Sequence, residues 1–440
     1  MKPFCLPAGH FVRGTVTCPG DKSISHRCII LSAISSQKTL INNFPANDDC
    51  LSTVNVFKKL GIKINAGNKK ICVFGKGLYG LRKSIKPIFV GESGTTLRLI
   101  SGVLAGQKFA SKLVAGDALS GRPMRRVTVP LRLMGAEIRA KRKPLTVEEY
   151  APIAIKGGNL KSIIYRMPVA SAQVKSAILF AGLYAKGKTV VIEPVPSRDH
   201  TERLLKQFNA GLKIKGSRIE LSGNKDLKSP GEIYVPGDIS SAAFFMVMAS
   251  LLPKSNLCLK NVSLNPSRLG VLKVLKKMNA RIRVINTESC KSAGGEPMGD
   301  IIVSSSRLKG VIVKSKEIPS LIDELPVLMV AATLAKGRTV FEGVQELRVK
   351  ETDRINSMER NLLRMGADIK VLNKGKREDI EINGVNFLNA AKVKSFGDHR
   401  TAMSMVVAGL LSRGRTCIDD VSCINKSYPG FLLDLKKILH

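Results

Sequence analysis

The chain has 440 residues, with 71 Lys and Arg against 34 Asp and Glu, a formal net charge of +37. Hydrophobic residues make up 44% and charged residues 24%, the range of an ordinary globular chain long enough to build its core without disulfide or metal staples. Collagen-like, low-complexity and small secreted scaffolds are excluded, and the length predicts two or three domains.

The positive charge is spread. Residues 1–240 carry 39 basic and 15 acidic groups, and residues 241–440 carry 32 and 19. No block reaches the five or six like charges of a disordered basic arm. Nucleic-acid surfaces usually add aromatic stacking groups, whereas aromatics here are 5% and Trp is absent. No nucleic-acid partner is expected, and most lysines read as solvated surface. The nine cysteines show no C-x-x-C spacing, which predicts free thiols in a reducing, cytoplasmic setting, with no disulfide framework and no metal site. The N-terminus lacks the apolar run of a signal peptide. The longest apolar stretches, 242–252 and 325–335, hold about eleven residues, too few to span a bilayer, so no membrane is expected.

In chain order, one pattern recurs: an amphipathic helix ends, a Gly or Asn follows, then a strand of alternating polarity. The joints fall at Gly61, Gly135, Asn209, Asn279 and Gly366, at intervals of 74, 74, 70 and 87. Gly and Asn suit the helix C′ position because they tolerate positive φ. The period exceeds that of ordinary solenoids and points to a repeated multi-strand α/β unit. A sixth helix over 431–439 has no strand after it, and the stretch Gly14-Thr15-Val16-Thr17-Cys18 is expected to supply one. Six units, three per domain, follow. Residues 1–19 and 237–440 form a discontinuous domain around 20–236, with a hinge at the turn-forming pairs Pro19-Gly20 and Pro236-Gly237.

Chemistry-bearing residues cluster where turns enter helices. Gly20-Asp21-Lys22-Ser23-Ile24-Ser25-His26-Arg27 places a cation, a hydroxyl and a guanidinium at a helix start, an anion cradle by its dipole and free N–H groups. Gly91-Glu92-Ser93-Gly94-Thr95-Thr96-Leu97-Arg98 and Arg122-Pro123-Met124 are two further candidates. Ala170-Ser171-Ala172-Gln173-Val174-Lys175-Ser176 and Ser197-Arg198-Asp199-His200 follow. Asp323-Glu324 reads either as a helix cap or as a catalytic carboxylate. Within Glu346–Arg354, Lys350 and Arg354 are expected as i,i+4 neighbours on one helix face, with a salt-bridged surface helix as the alternative. Gly397-Asp398-His399-Arg400 and Asn425-Lys426 close the series. Helix starts from both halves facing a shared cleft would focus positive potential on a strongly anionic ligand. No G-x-G-x-x-G follows a strand, which argues against a Rossmann dehydrogenase.

These motifs, together with Pro236-Gly237-Asp238-Ile239-Ser240-Ser241-Ala242 and Arg348-Val349-Lys350-Glu351-Thr352-Asp353-Arg354, resemble the 5-enolpyruvylshikimate-3-phosphate synthases, in order and over nearly the whole chain. Ser171-Ala172-Gln173 and Arg198-Asp199-His200 resemble the family's second sequence class. The resemblance implies an α/β fold, a two-domain inside-out α/β barrel of six βαβαββ repeats, and transfer of the enolpyruvyl group of phosphoenolpyruvate to the 5-hydroxyl of shikimate 3-phosphate. It assigns Lys22, Ser23, Arg27, Ser171, Ala172, Gln173, Arg198, Asp323 and Lys350 to shikimate 3-phosphate. Lys22, Gly94, Arg98, Arg122, Gln173, Arg354, Arg400 and Lys426 go to phosphoenolpyruvate. Asp323 is the base for the 5-hydroxyl and Glu351 the acid for the methylene carbon, with Lys22 assisting and His399 and Asp238 in support. An acid beside so many cations needs burial to hold its proton near neutral pH. The resemblance further implies a monomer with no cofactor, inhibited by glyphosate at the phosphoenolpyruvate site.

Departures from the family pattern are Glu92 in place of Asn, which either repels the anionic substrate or pairs with a neighbouring Arg, and Ala172 in place of a second Ser. The sister enolpyruvyl transferase acting on UDP-N-acetylglucosamine uses Lys-Asn at the first motif and a loop Cys near the second. Here Ser23 follows Lys22, and no Cys lies between Cys72 and Cys258. A basic RNA-binding repeat protein is the alternative from a different class.

Overall fold

The computed structural model describes residues 3–6, 10–67, 69–286, 295–375 and 377–440. The chain divides into two compact units. One comprises Met1–Pro19, Pro236–Cys290 and Pro297–His440, and the other Gly20–Val235 with Lys291–Glu296. Each has its own hydrophobic core.

The second, inserted unit carries helices α1 (Lys22–Ile34), α2 (Asp48–Lys59), α3 (Gly94–Ala105), α4 (Asp117–Ser120), α5 (Arg125–Leu133), α6 (Ala172–Gly182) and α7 (His200–Gln207). The discontinuous unit carries α8 (Ile239–Leu251), α9 (Gly270–Lys277), α10 (Leu325–Thr333), α11 (Arg354–Arg364), α12 (His399–Leu410) and α13 (Phe431–Ile438). Sequence separates them into two kinds. In α1, α3, α6, α8, α10 and α12 nearly every residue is buried, as expected of helices apolar all round. These pack on one another within each unit: α3 on α1 and α6, and α8, α10 and α12 mutually. The amphipathic helices α2, α5, α7, α9 and α11 bury one face only.

The five expected joints are built alike. Gly61, Gly135, Asn209, Asn279 and Gly366 all have φ between 58° and 102°. At each, the residue after the joint donates its N–H to the carbonyl five positions back, as Ile62 to Phe57 and Ala367 to Leu362, while the joint residue donates three back, as Gly61 to Lys58. This is the Schellman pattern, so the echo seen along the sequence is one backbone device used five times.

Among the described residues five four-stranded sheets share one topology. A parallel edge strand precedes a long strand, followed by two antiparallel neighbours. The first sheet takes its edge strand, Glu232–Tyr234, from the far end of the inserted segment. The fourth takes Arg13–Thr17, which pairs parallel with Asn256–Ser263. This corrects the assignment of Gly14–Cys18 to the sixth unit. There the N-terminal strand Phe4–Leu6 pairs antiparallel with Thr416–Ile418 instead. The same register sets Cys5 opposite Cys417, with Cα atoms 4.1 Å apart, and the two form a disulfide. The expectation of free thiols throughout therefore fails at this pair, because a pairing 412 residues apart in sequence is set by strand register. Cys18, Cys28, Cys72, Cys258 and Cys423 are free thiols, the Cys50 thiol donates to the carbonyl of Lys22 (3.8 Å), and Cys290 lies outside the described residues. Among the described residues no helix is long and apolar enough to cross a membrane, and no group of three His, Cys, Asp or Glu is placed to hold a metal ion.

Candidate active site

The starts of the buried helices gather the polar residues. Asp21, Ser93 and Ser171 cap α1, α3 and α6 by accepting from the N–H of Ile24 (3.0 Å), Thr96 (3.2 Å) and Val174 (3.4 Å). Asp238 and Asp398 do the same for α8 and α12, accepting from Ser240 (2.8 Å) and Arg400 (2.7 Å). Capping satisfies one N–H of each first turn, two in α12, where Asp398 also accepts from Thr401 (3.3 Å), and leaves others for a ligand.

In the inserted unit, Gly94, Arg98, Arg122 and Gln173 come together. A Cβ at Gly94 would lie 2.9 Å from a terminal nitrogen of Arg122 and 3.3 Å from one of Arg98. Arg98 donates to Gln173 Oε1 (2.6 Å) and to the carbonyl of Pro123 (3.2 Å), and Gln173 Nε2 donates to Thr95 Oγ1 (2.9 Å). Two guanidiniums converging on a glycine at a helix N-terminus form a site for a phosphate or carboxylate. Lys22, half-buried, donates to Asp49 Oδ2 (2.8 Å). Among the described residues Glu92 pairs with no Arg: its Oε2 accepts from the N–H of Leu119 (2.7 Å) in α4, and its carboxylate lies against Gly116, so it holds the turn at Gly116–Asp117.

Arg27 is 3% exposed. Its guanidinium fans out to the carbonyl of Ser23 (2.7 Å), Thr201 Oγ1 (2.6 Å) and Ser176 Oγ (2.8 Å). Burial pushes Arg27 down to about 10; Glu202 opposes that and the nearby Arg198 adds to it. Arg198, Ser171, Ala172 and Gln173 are half-buried. Lys175, which the sequence placed in the cation cluster, is instead an internal residue. It is 1% exposed and pairs with Glu193 (2.8 Å) and Glu202 (2.6 Å).

In the discontinuous unit a second constellation forms around Arg354, which is 1% exposed. Its Nε donates to Asp398 (2.8 Å), one terminal nitrogen lies 3.5 Å from Asp323 Oδ1, and the other donates to Glu351. Burial opposes the charge on Arg354, yet Asp398, Glu351 and Asp323 together more than offset it and raise its pKa. Arg400 donates to the Asp323 carbonyl (2.8 Å). Lys426 donates to the Gly397 carbonyl (3.0 Å). His399 is buried at the start of α12. Burial pushes the Lys350 ammonium down, with Asp323 and Glu346 opposing and Arg354 reinforcing. Asp238 lies 3.6 Å from Arg268, which donates to Ser240 (2.5 Å) and to Glu324 (3.3 Å).

Two expectations change here. Lys350 and Arg354 do not share a helix, because Asp353 caps α11 through the N–H of Asn356 (3.0 Å) and Lys350 lies in extended backbone before it. Glu351 also lacks the burial expected of a neutral acid, since its side chain is 27% exposed. Sequence reasoning missed Asp49, Thr201 and Arg268 as partners of the site residues. The adjacent acids Asp48-Asp49 at a helix start were a visible signal, whereas Thr201 and Arg268 carried none.

The EPSP synthase (3-phosphoshikimate 1-carboxyvinyltransferase) family model matches residues 7–435. The chain is 45% identical over 421 residues, 96% of each chain, to the 3-phosphoshikimate 1-carboxyvinyltransferase of Thermoanaerobacter sp. (strain X514). It is 45% identical over 429 residues, 97% of each, to that of Desulforamulus reducens. A solved EPSP synthase structure from Acinetobacter baumannii superposes with a TM-score of 0.87 at 40% identity, covering 100% of this chain and 98% of the other. The chain belongs to the EPSP synthase family.

Proposed function

We propose that the protein transfers the enolpyruvyl group of phosphoenolpyruvate to the 5-hydroxyl of shikimate 3-phosphate and releases phosphate. The observation that carries this reading is the convergence of Arg98 and Arg122 on Gly94 at the head of α3, next to Gln173. In the reaction the substrate hydroxyl loses its proton as its oxygen bonds to C2 of phosphoenolpyruvate, and C3 gains a proton. Loss of phosphate and of a C3 proton then restores the double bond. Asp323 takes the hydroxyl proton, Glu351 exchanges the proton at C3 once bound substrate completes the burial that the free chain leaves partial, and Lys22 assists. Arg354 holds both carboxylates, which fixes their spacing for proton transfer. Gly94, Arg98, Arg122, Gln173, Arg354, Arg400, Lys426 and Lys22 hold phosphoenolpyruvate. Lys22, Ser23, Arg27, Ser171, Ala172, Gln173, Arg198, Asp323 and Lys350 hold shikimate 3-phosphate, Ala172 through backbone only. His399 and Asp238 support the site, the latter through Arg268.

The enzyme works as a single chain in the cytoplasm without a cofactor, and glyphosate competes with phosphoenolpyruvate. Phosphorus NMR of the reaction mixture tests the transfer. The phosphoenolpyruvate signal should convert to inorganic phosphate while the shikimate ester signal moves to that of a new phosphate ester. Phosphate release with an unchanged shikimate 3-phosphate signal contradicts the reading.

A further inference from the structure

Behind the Gly94 loop lies a file of four fully buried polar side chains that the reaction does not use. His26 Nδ1 lies 2.6 Å from Thr53 Oγ1, Thr53 Oγ1 lies 2.7 Å from Thr96 Oγ1, and Thr96 Oγ1 donates to Ser93 Oγ at 2.8 Å. All four residues are at most 1% exposed. They come from α1, α2, α3 and the residue that caps α3.

The direction of the file follows from counting protons. A hydroxyl has one to give. Thr96 gives its proton to Ser93, so toward Thr53 it can only accept. Thr53 must give its proton to Thr96, and toward His26 it can only accept. His26 must therefore carry its proton on Nδ1. With the proton on Nε2 instead, Nδ1 would claim the Thr53 proton, and Thr53 and Thr96 would face each other with lone pairs only. Burial, Lys22 and Arg27 together push the imidazole well below its ordinary value against Asp21, which keeps it neutral.

We propose that His26, as the Nδ1–H tautomer, is a positioning residue for phosphoenolpyruvate that acts through Thr53 and Thr96 to fix the Ser93 cap. Ser93 Oγ receives both the N–H and the hydroxyl of Thr96, so its rotamer and the first turn of α3 are held from behind. The front of that turn presents the N–H groups of Gly94 and Thr95 and the two guanidiniums. The fit there is close, since a Cβ at Gly94 would already press on Arg122. A small shift of the turn therefore changes anion binding. The inference rests on the assignment of the Gly94 loop to phosphoenolpyruvate.

Long-range proton–nitrogen correlation spectra read the tautomer directly, and steady-state kinetics read its effect. The wild-type protein should show a single neutral imidazole protonated on Nδ1. Thr53→Val and His26→Leu should raise the phosphoenolpyruvate KM about fivefold to tenfold, the scale of one lost hydrogen bond, with the shikimate 3-phosphate KM within about twofold of wild type. His26→Gln, whose amide can still donate to Thr53, should recover most of the loss. Recovery of KM by a donor separates positioning from simple packing. An Nε2–H tautomer or an imidazolium at neutral pH overturns the proposal. An unchanged KM in Thr53→Val beside a raised one in Arg122→Ala overturns the positioning role alone. Unchanged KM in both overturns the site assignment and the positioning role with it.

Discussion

Replacing Gly94 with Ala adds one methyl group at the point where Arg98 and Arg122 meet. That Cβ would lie 2.9 Å from Arg122, whereas ordinary contact begins at 3.4 Å, so the guanidinium must give way by about 0.5 Å. A 1 Å misplacement of a binding group costs roughly 10²-fold, and half of that corresponds to about tenfold, or ~1.4 kcal/mol. The backbone raises no objection: Gly94 opens α3 and its φ lies outside the left-handed region. Ala there removes the glycine penalty, worth up to ~1 kcal/mol. Steady-state kinetics with each substrate varied, combined with thermal unfolding, should show a phosphoenolpyruvate KM raised about tenfold and a shikimate 3-phosphate KM within about twofold. Unfolding should come at an equal or higher temperature, and inhibition by glyphosate should weaken in the same variant. An unchanged phosphoenolpyruvate KM, or a loss of several degrees in Tm, refutes the placement of the anion at Gly94.

Asp323→Ala and Glu351→Gln should each lower kcat by about 10²-fold or more, the scale of acid–base groups, with circular dichroism unchanged; near-normal turnover in both removes them from proton transfer. Lys350 is pushed below its ordinary 10.5, so the folded protein releases this proton at a lower pH than the unfolded chain. Between the depressed value and 10.5 its contribution to stability therefore rises with pH, while affinity for shikimate 3-phosphate falls; Lys350→Arg should shift that alkaline fall upward in a pH series of KM. Glu92→Gln should cost at most about 1 kcal/mol by weakening the bond to Leu119 and leave the phosphoenolpyruvate KM within about twofold; a large drop in KM would mean that Glu92 repels the substrate after all. Cys5→Ser should cost about 2–4 kcal/mol in urea unfolding without changing kcat, and a dithiol reductant should reproduce that loss in the wild type but not in the variant.

What the sequence makes legible is whatever is written locally. The five Gly or Asn joints are short-range, since positive φ and the two backward hydrogen bonds are decided within six residues. Apolar-all-round helices with polar heads are equally local, and they led to the residues around Gly94 and Arg354. Long-range pairing is what stays hidden. The strand Arg13–Thr17 joins the fourth sheet rather than the sixth, and Cys5 meets Cys417, because register between distant strands has no short-range signal. Lys175 looked like a site cation because its helix start resembles the others. Its position one turn deeper, between Glu193 and Glu202, makes it internal. Charge follows the same division. Among the described residues six Lys and Arg are buried: Arg27, Arg98, Lys175, Arg268, Arg354 and Arg400. The proposed assignment gives four of these to the two anionic substrates. The other Lys and Arg among the described residues lie on partly or fully exposed side chains.

The central claim is transfer of the enolpyruvyl group to shikimate 3-phosphate, and phosphate release from phosphoenolpyruvate tests it most directly when measured with one acceptor at a time. Release should require shikimate 3-phosphate and should not occur with UDP-N-acetylglucosamine or with RNA. Release supported by the UDP-sugar, or no release with shikimate 3-phosphate, would contradict it.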